Sequence, residues 1–118
     1  VSVNAIPAEA MALDLGPEST KVIERVVNGA HTVIWNGTMG YAEVPAFQTS
    51  SAALARVLAK NKRAITSIIG GGDTSDFVLH WDKKQGASFG HVSTGGGASL
   101  ELMAGEKLPG IESLLDAR

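Results

Sequence analysis

Short apolar runs alternate with longer amphipathic stretches along the chain. β-branched and aromatic residues form compact runs at 32–35 and 65–69, and such runs are typical of buried strands. A briefer run at 91–94 predicts a third strand. Between these runs, apolar residues recur at the three- and four-residue spacing of amphipathic helices. Strands and helices that alternate with short connections predict an α/β fold with a parallel sheet and flanking helices.

The helix boundaries follow from residues that favour helix starts and stops. Pro17 followed by Glu18 favours a start, because proline suits the first helical position and a carboxylate suits the positive end of the helix dipole. Asn28-Gly29 ends that helix. The other predicted helices span about 45–60, 73–81 and 98–103, and a last one opens at Pro109. No linker or low-complexity tract interrupts the pattern, so one domain is predicted.

Charge and cysteine content exclude several classes of protein. The chain has 118 residues and no cysteine, which excludes a disulfide framework and a thiolate metal site. Its 10 basic and 12 acidic residues give a net charge of −2, which argues against a nucleic-acid partner. No apolar run approaches the roughly 20 residues of a membrane span, so no membrane association is expected. A first residue of Val rather than Met is expected of a chain that begins inside a longer protein, and processing of the chain explains it equally well.

Glycine is over-represented and clustered. It supplies 14 of the 118 residues, against a usual share of about 7%. Six of these glycines form two triplets, 70–72 and 95–97, each after a predicted strand and before a predicted helix. The carboxyl ends of parallel strands meet at one edge of a sheet. We therefore expect both triplets, and the loop at 36–37 that follows the first strand, to converge on one crevice.

Glycine loops in this position suit an anionic ligand. A backbone without Cβ atoms lets a bulky group approach its N–H donors, and a helix start adds unpaired N–H groups and partial positive charge. Two such loops suit a polyphosphate or a phosphoryl group in transfer; the alternative is that each triplet is a tight turn packing helix on strand. Neither a P-loop nor a dinucleotide fingerprint is present. No Lys or Arg occurs in 36–43, 70–76 or 93–99, so a metal or basic residues outside this chain must balance the charge.

A few polar residues could act beside these loops. Asp73 is the best metal candidate, because a carboxylate next to a phosphate site commonly anchors Mg²⁺, and its alternative role is a plain helix N-cap. Glu43 by itself is expected to be a solvated carboxylate at a helix start. Asn36 and Thr94 could donate to phosphate or close turns. Surface or packing roles are expected for the histidines and tryptophans, namely His31, His80, His91, Trp35 and Trp81.

Three motifs, in order along the chain, closely resemble the C-terminal portion of phosphoglycerate kinases. They are Trp35-Asn36-Gly37 with Met39-Gly40 and Glu43, then Gly70-Gly71-Gly72-Asp73-Thr74, then the stretch HVSTGGGASLE at 91–101. The resemblance extends from about Ile6 to the end of the chain, including Leu13-Asp14, Gly16-Pro17 and Leu108-Pro109-Gly110.

The resemblance implies a fold and an activity. The family is a two-domain glycolytic enzyme, cytoplasmic and expected to be a monomer, which transfers a phosphoryl group between 1,3-bisphosphoglycerate and Mg-ADP to give 3-phosphoglycerate and ATP. Residues 1–107 would be the later part of its nucleotide-binding domain, a Rossmann-like three-layer fold of which this chain is a partial domain. Residues 108–118 would pack toward the N-terminal domain, which binds the phosphoglycerate. The chain alone would be inactive.

The resemblance also implies roles for individual residues. Magnesium would be bound by Asp73, the ribose hydroxyls by Glu43 and the adenine by a pocket that includes Leu13. The nucleotide phosphates would be contacted by Asn36, Gly71, Gly72 and Thr74. The amides of Gly72 and Gly97 would stabilise the phosphoryl group in flight, with Thr94, Gly95, Gly96 and Gly97 forming the phosphate loop.

Three residues depart from the family pattern. Thr38 stands where proline is usual, Ala42 where phenylalanine is usual, and Tyr41 where a small aliphatic residue is common. All three border the expected nucleotide pocket. Because the anion loops lack cations, a non-catalytic nucleotide- or phosphate-binding module is the alternative function.

Overall fold

A three-stranded parallel sheet forms the centre of the computed structural model, which describes residues 1–116. The strands, in spatial order, are β1 (Thr32–Asn36), β2 (Thr66–Gly70) and β3 (His91–Val92). The helices are α1 (Pro17–Asn28), α2 (Thr49–Lys60), α3 (Gly72–Trp81), α4 (Ala98–Met103) and α5 (Pro109–Asp116). This is the predicted α/β fold with a parallel sheet and flanking helices.

The strand register aligns apolar residues of the three strands in one row, which packs against the helices. Trp35 of β1 lies opposite Ile69 of β2, which in turn lies opposite Val92 of β3. Trp35 and Ile69 are buried in a core completed by residues of α2, α3 and the loop before β3, chiefly Leu58, Phe77, Val78 and Phe89. On the other face of the sheet, Ile34 is 51% exposed. The core therefore lies between the sheet and one set of helices.

Two predicted elements differ from the structure. The helix expected over 45–60 is interrupted at Gln48, so that Pro45–Phe47 forms a 3₁₀ turn and α2 begins at Thr49. A tertiary contact explains the break, because the carboxylate of Asp14 accepts the backbone N–H of Ser50 (3.2 Å) and defines a new helix start.

The third strand is shorter than the predicted 91–94 and ends at Val92. The backbone N–H of Ser93 still donates to Ile69 (2.8 Å), but the Ser93 hydroxyl accepts the N–H of Gly95 (3.3 Å). That local bond turns the chain out of the sheet.

Both ends of the chain extend away from this core. The radius of gyration is 16.5 Å, against about 13.5 Å for a compact chain of this length. The apolar residues of α5 are largely exposed, with Leu114 at 72% and Leu115 at 57%. Their packing toward another domain stays a prediction, and residues 117–118 of that segment lie outside the described part of the chain. Among the described residues, no helix has the length and apolar character needed to cross a membrane.

Candidate functional site

The three loops that follow β1, β2 and β3 meet at the carboxyl edge of the sheet. The Gly37 N–H donates to the Thr74 hydroxyl at 2.7 Å, which joins the loop after β1 to the start of α3. The Ser75 hydroxyl donates to the Ser93 carbonyl at 2.5 Å, which joins α3 to the loop after β3. The crevice predicted from the order of strands and loops is therefore present.

Gly71 and Asn36 pack in direct contact at the centre of this edge. Gly71 has φ +85° and ψ 140°, a conformation that side-chain-bearing residues rarely adopt. A Cβ atom on Gly71 would lie only 2.7 Å from Oδ1 of Asn36. At Gly72, by contrast, a Cβ atom would meet nothing within 4 Å. The backbone of Gly72 thus faces open space, whereas the missing side chain of Gly71 leaves room for the Asn36 amide.

The start of α3 leaves donors free for a ligand. Gly71 is the cap residue, and the first helical bond runs from the Ser75 N–H to the Gly71 carbonyl at 3.0 Å. Among the described residues, the N–H groups of Gly72, Asp73 and Thr74 have no acceptor. Asp73 is the second helical residue and makes no capping bond, so its interpretation as an N-cap is wrong. Its exposed carboxylate lies beside unpaired donors.

Thr74 contributes to the site in a different way from its neighbours. Its side chain is fully buried, and its hydroxyl oxygen accepts the Gly37 N–H. The group of Thr74 that stays available to a ligand at the start of α3 is therefore its backbone N–H. Its side chain instead joins two of the three loops.

A cavity of about 410 Å³ lies between α3 and the loop after β1. Glu43 and Asp73, which belong to separate sequence motifs, both line it. The other lining residues are Thr38, Tyr41, Ala42, Gln48, Asp76, Phe77 and His80. The three positions that depart from the family pattern are among them.

Asp76 and His80 are lining residues that sequence reasoning missed. His80 Nδ1 lies 3.3 Å from Oδ1 of Asp76, one helical turn away. Their spacing of three and seven residues from Asp73 places all three on one face of α3. That spacing is the signal in the sequence that could have identified them.

Glu43 is exposed, as the sequence predicts for a solvated carboxylate, but the helix that it precedes is a short 3₁₀ turn and not α2. Its Oε2 accepts a hydrogen bond from the Tyr41 hydroxyl at 2.9 Å. The same carboxylate raises the pKa of Tyr41, through this hydrogen bond first and its negative charge second. The hydrogen bond to Glu43 thus favours the protonated phenol, which is the form that donates.

Leu13 lies in a second groove of about 370 Å³ that adjoins the first. Thr38 and Tyr41 line both spaces. The backbone N–H of Tyr41 donates to the Leu13 carbonyl at 2.8 Å, which holds the N-terminal segment against the loop after β1. The two grooves thus form a continuous surface on either side of Tyr41.

Asp14, which belongs to the resembling stretch but was given no role from the sequence, fixes the position of that segment. Its carboxylate accepts both the backbone N–H and the hydroxyl of Ser50 at the start of α2. The Asp14 carboxylate also lies close to Gly40. A Cβ atom on Gly40 would overlap this carboxylate and would lie 2.5 Å from the Phe47 carbonyl oxygen. Only glycine fits at this crossing of segments.

The second glycine triplet is held mainly by serine side chains. Ser99 donates to the Ser93 hydroxyl at 2.6 Å, and that hydroxyl also accepts the Gly95 N–H. Thr94, Gly95 and Gly97 are exposed. The helix that follows, α4, has six residues.

The charge of the cavity suits a metal-bound ligand better than a free anion. Glu43, Asp73 and Asp76 line it, and no Lys or Arg does so. Within the described residues, no group of three or more His, Asp or Glu side chains is placed to hold a metal ion by itself. One exposed carboxylate nevertheless fits Mg²⁺, which commonly takes one or two protein carboxylates and completes its shell with phosphates and water.

Comparison with known proteins identifies a family. The family model described as phosphoglycerate kinase matches residues 1–106. A phosphoglycerate kinase of Pelotomaculum thermopropionicum is 48% identical over 118 residues, covering 98% of this chain and 28% of the relative. One of Geotalea daltonii is 51% identical over 116 residues, covering 97% of this chain and 28% of the relative. The chain thus spans little more than a quarter of the length of the curated relatives it matches.

A solved structure shows the same likeness in three dimensions. The structure of phosphoglycerate kinase from Coxiella burnetii superposes with a TM-score of 0.80 at 34% sequence identity. The match covers 92% of this chain and 27% of that one.

Proposed function

The chain belongs to the phosphoglycerate kinase family, and we propose that it supplies the Mg-nucleotide side of such an enzyme. In this proposal the full-length enzyme transfers a phosphoryl group between 1,3-bisphosphoglycerate and Mg-ADP, giving 3-phosphoglycerate and ATP in glycolysis. It works as a cytoplasmic monomer. Residues 1–107 form the later part of the nucleotide-binding domain, and residues 108–118 pack toward the domain that binds the phosphoglycerate.

One observation carries the proposal: Glu43 and Asp73, which are 30 residues apart, line one cavity beside a glycine loop with free N–H donors. A nucleoside diphosphate needs a carboxylate acceptor for its ribose hydroxyls, a metal anchor and N–H donors for its phosphates. The cavity offers these groups on adjoining elements. The groove at Leu13, next to it, offers an apolar surface for the adenine.

Each residue has a role in nucleotide binding. Asp73 binds the Mg²⁺ ion, which neutralises phosphate charge when present. The N–H groups of Gly72 and Thr74 donate to phosphate oxygens at the positive end of α3. Gly71 allows the close approach and leaves room for Asn36, whose amide contacts the phosphates. Glu43 accepts the ribose hydroxyls.

Phosphoryl transfer adds the second glycine loop. The amides of Gly72 and Gly97 donate to the equatorial oxygens of the transferring group, where preorganised donors lower the barrier. The loop of Thr94, Gly95, Gly96 and Gly97 supports this position. Basic residues of the remaining enzyme provide the cations that this chain lacks along the cavity.

The absence of Lys and Arg from the cavity lining also favours a second candidate, a non-catalytic nucleotide- or phosphate-binding module. The assay that separates the two is ATP formation from 1,3-bisphosphoglycerate and Mg-ADP. The full-length protein should turn over, and the 118-residue chain alone should not. A full-length protein that binds ADP without turnover would favour the module, and ATP formation by the short chain would contradict the division of roles.

Asp73 offers a sharp test of the metal assignment, with Asp76 as a matched control on the same helix face. In the full-length enzyme, Asp73→Asn should lower the Mg²⁺-dependent affinity for ADP and kcat by at least about tenfold each. Asp76→Asn removes the same charge from the same cavity and should change both by about twofold or less. Calorimetry of ADP binding with and without Mg²⁺ measures the difference. Equal effects of the two substitutions would leave Asp73 without a metal role.

A further inference from the structure

We infer that Tyr41 is a positioning residue of the proposed nucleotide site, whose hydroxyl group holds the Glu43 carboxylate ready to accept the ribose hydroxyls. The inference rests on the proposed function. Its basis is the 2.9 Å hydrogen bond from the Tyr41 hydroxyl to Oε2 of Glu43, inside the cavity that Asp73 also lines.

The backbone of Tyr41 is held from both sides. Its N–H donates to the Leu13 carbonyl at 2.8 Å, and its carbonyl accepts the Val44 N–H at 3.1 Å. The ring therefore projects from a fixed point between the two grooves that it lines. A group anchored in this way can orient a neighbour, whereas a freely moving one cannot.

Glu43 needs such a partner. Its side chain is exposed, and the Tyr41 hydroxyl is its one hydrogen-bond partner among the described residues. An exposed glutamate samples several rotamers, and ordering its side chain on ligand binding costs conformational entropy. A hydrogen bond already made in the free protein removes part of that cost.

The bond leaves enough acceptor capacity for a ribose. An ionised carboxylate offers about four lone-pair sites on two oxygens. Tyr41 uses one site on Oε2, so Oε1 and the remaining site of Oε2 can receive two neighbouring hydroxyl groups. The other charged and titratable groups that line the cavity, Asp73, Asp76 and His80, come from α3. The phenol is protonated at neutral pH, as a donor must be, and the raised pKa of Tyr41 reflects the same hydrogen bond.

The test compares two nucleotides in the full-length enzyme, ADP and 2′,3′-dideoxy-ADP, which lacks the ribose hydroxyls. Tyr41→Phe keeps the ring and removes only the hydroxyl group. It should weaken ADP binding by roughly 3- to 10-fold, leave dideoxy-ADP binding unchanged and leave kcat at saturating ADP unchanged. Loss of structure alone would weaken both nucleotides equally.

A double-mutant cycle with Glu43→Gln completes the test. If Tyr41 acts through Glu43, Tyr41→Phe has no further effect on ADP affinity in the Glu43→Gln background. A loss in Glu43→Gln with none in Tyr41→Phe would overturn the positioning role and leave the proposed function intact. If Glu43→Gln itself binds ADP like the wild type, the ribose assignment in the proposed function falls and the inference falls with it.

Discussion

The two glycine triplets have the same sequence and follow neighbouring strands of one sheet, yet the structure holds them differently. The triplet Gly70-Gly71-Gly72 is packed against the Asn36 side chain and leads into α3, which has ten residues. The triplet Gly95-Gly96-Gly97 is held by two serine hydroxyls and leads into α4, which has six. In the first triplet the backbone is constrained by packing, and in the second mainly by hydroxyl groups.

This difference shows that a glycine triplet indicates where a loop lies but not how firmly it is held. Rigidity comes from the residues packed on the loop. The N–H donors of Gly72, Asp73 and Thr74 are preorganised by a buried threonine and a crowded glycine. The family resemblance places the nucleotide at the first triplet, and a firmly held loop suits that proposed role.

The largest effect is expected from Gly71→Ala, which is best compared with alanine at Gly96, the positive-φ glycine of the second triplet. Gly71→Ala meets both a disallowed φ and the Asn36 amide, and it should lower the free energy of unfolding by about 3 kcal/mol. Gly96, at φ +60°, has nothing within 4 Å of a Cβ atom, so Gly96→Ala should cost only about 1 kcal/mol. Urea unfolding measures both. Equal costs would remove the contrast between the triplets.

A smaller effect is expected from the hydroxyl groups that join the loops. Thr74→Val keeps the side-chain shape but leaves the part-buried Gly37 N–H without its acceptor, which should cost about 2 kcal/mol. Ser99→Ala removes one neutral bond from the second triplet and should cost about 0.5–1 kcal/mol. Thermal unfolding of the two variants and the wild type measures both losses and tests which is larger. A larger loss from Ser99→Ala would reverse the comparison.

A smaller effect than that of Thr74→Val concerns Asp82, in the turn that carries the chain from α3 to β3. Burial by itself would raise the pKa of Asp82, but hydrogen bonds from the Lys84 N–H and from both donors of Ser88 outweigh it and lower the pKa. A lowered pKa in the folded state stabilises the fold above the ordinary carboxyl range, and this contribution disappears as pH falls through the folded value.

Asp82→Asn should therefore cost about 1 kcal/mol at pH 7. The difference in the free energy of unfolding between wild type and variant should decrease as pH is lowered toward 3. Urea unfolding across this pH range provides the measurement. A difference that stays constant with pH would show that the charge of Asp82 contributes nothing.

Periodicity and boundary residues predict most of the fold. The parallel sheet, the helix from Pro17 to Asn28 and the convergence of the three loops all follow from local patterns. The interruption at Gln48 does not follow from a local pattern, because it depends on the contact of Ser50 with Asp14, which lies 36 positions earlier in the chain. Local propensity contains no information about such a tertiary contact.

The sequence predicted which residues belong to the candidate site, but not how they are arranged. Sequence singled out Asp73 and Glu43 one at a time, and only the fold places them in one cavity. The bond from the Gly37 N–H to the Thr74 hydroxyl joins residues that are 37 positions apart, and the bond between Tyr41 and Glu43 depends on a local turn. The functions assigned to these residues come from family resemblance, and measurements of nucleotide binding test them.

Hydrogen exchange of the full-length enzyme, followed by mass spectrometry with and without Mg-ADP, tests the central claim most directly. Mg-ADP should slow exchange in peptides that cover 36–43 and 70–77, and Asp73→Asn should remove most of that protection. Peptides that cover 93–103 should change little with Mg-ADP alone. Protection confined to 93–103, with unaltered exchange at 70–77, would contradict the assignment of the nucleotide to the first glycine triplet.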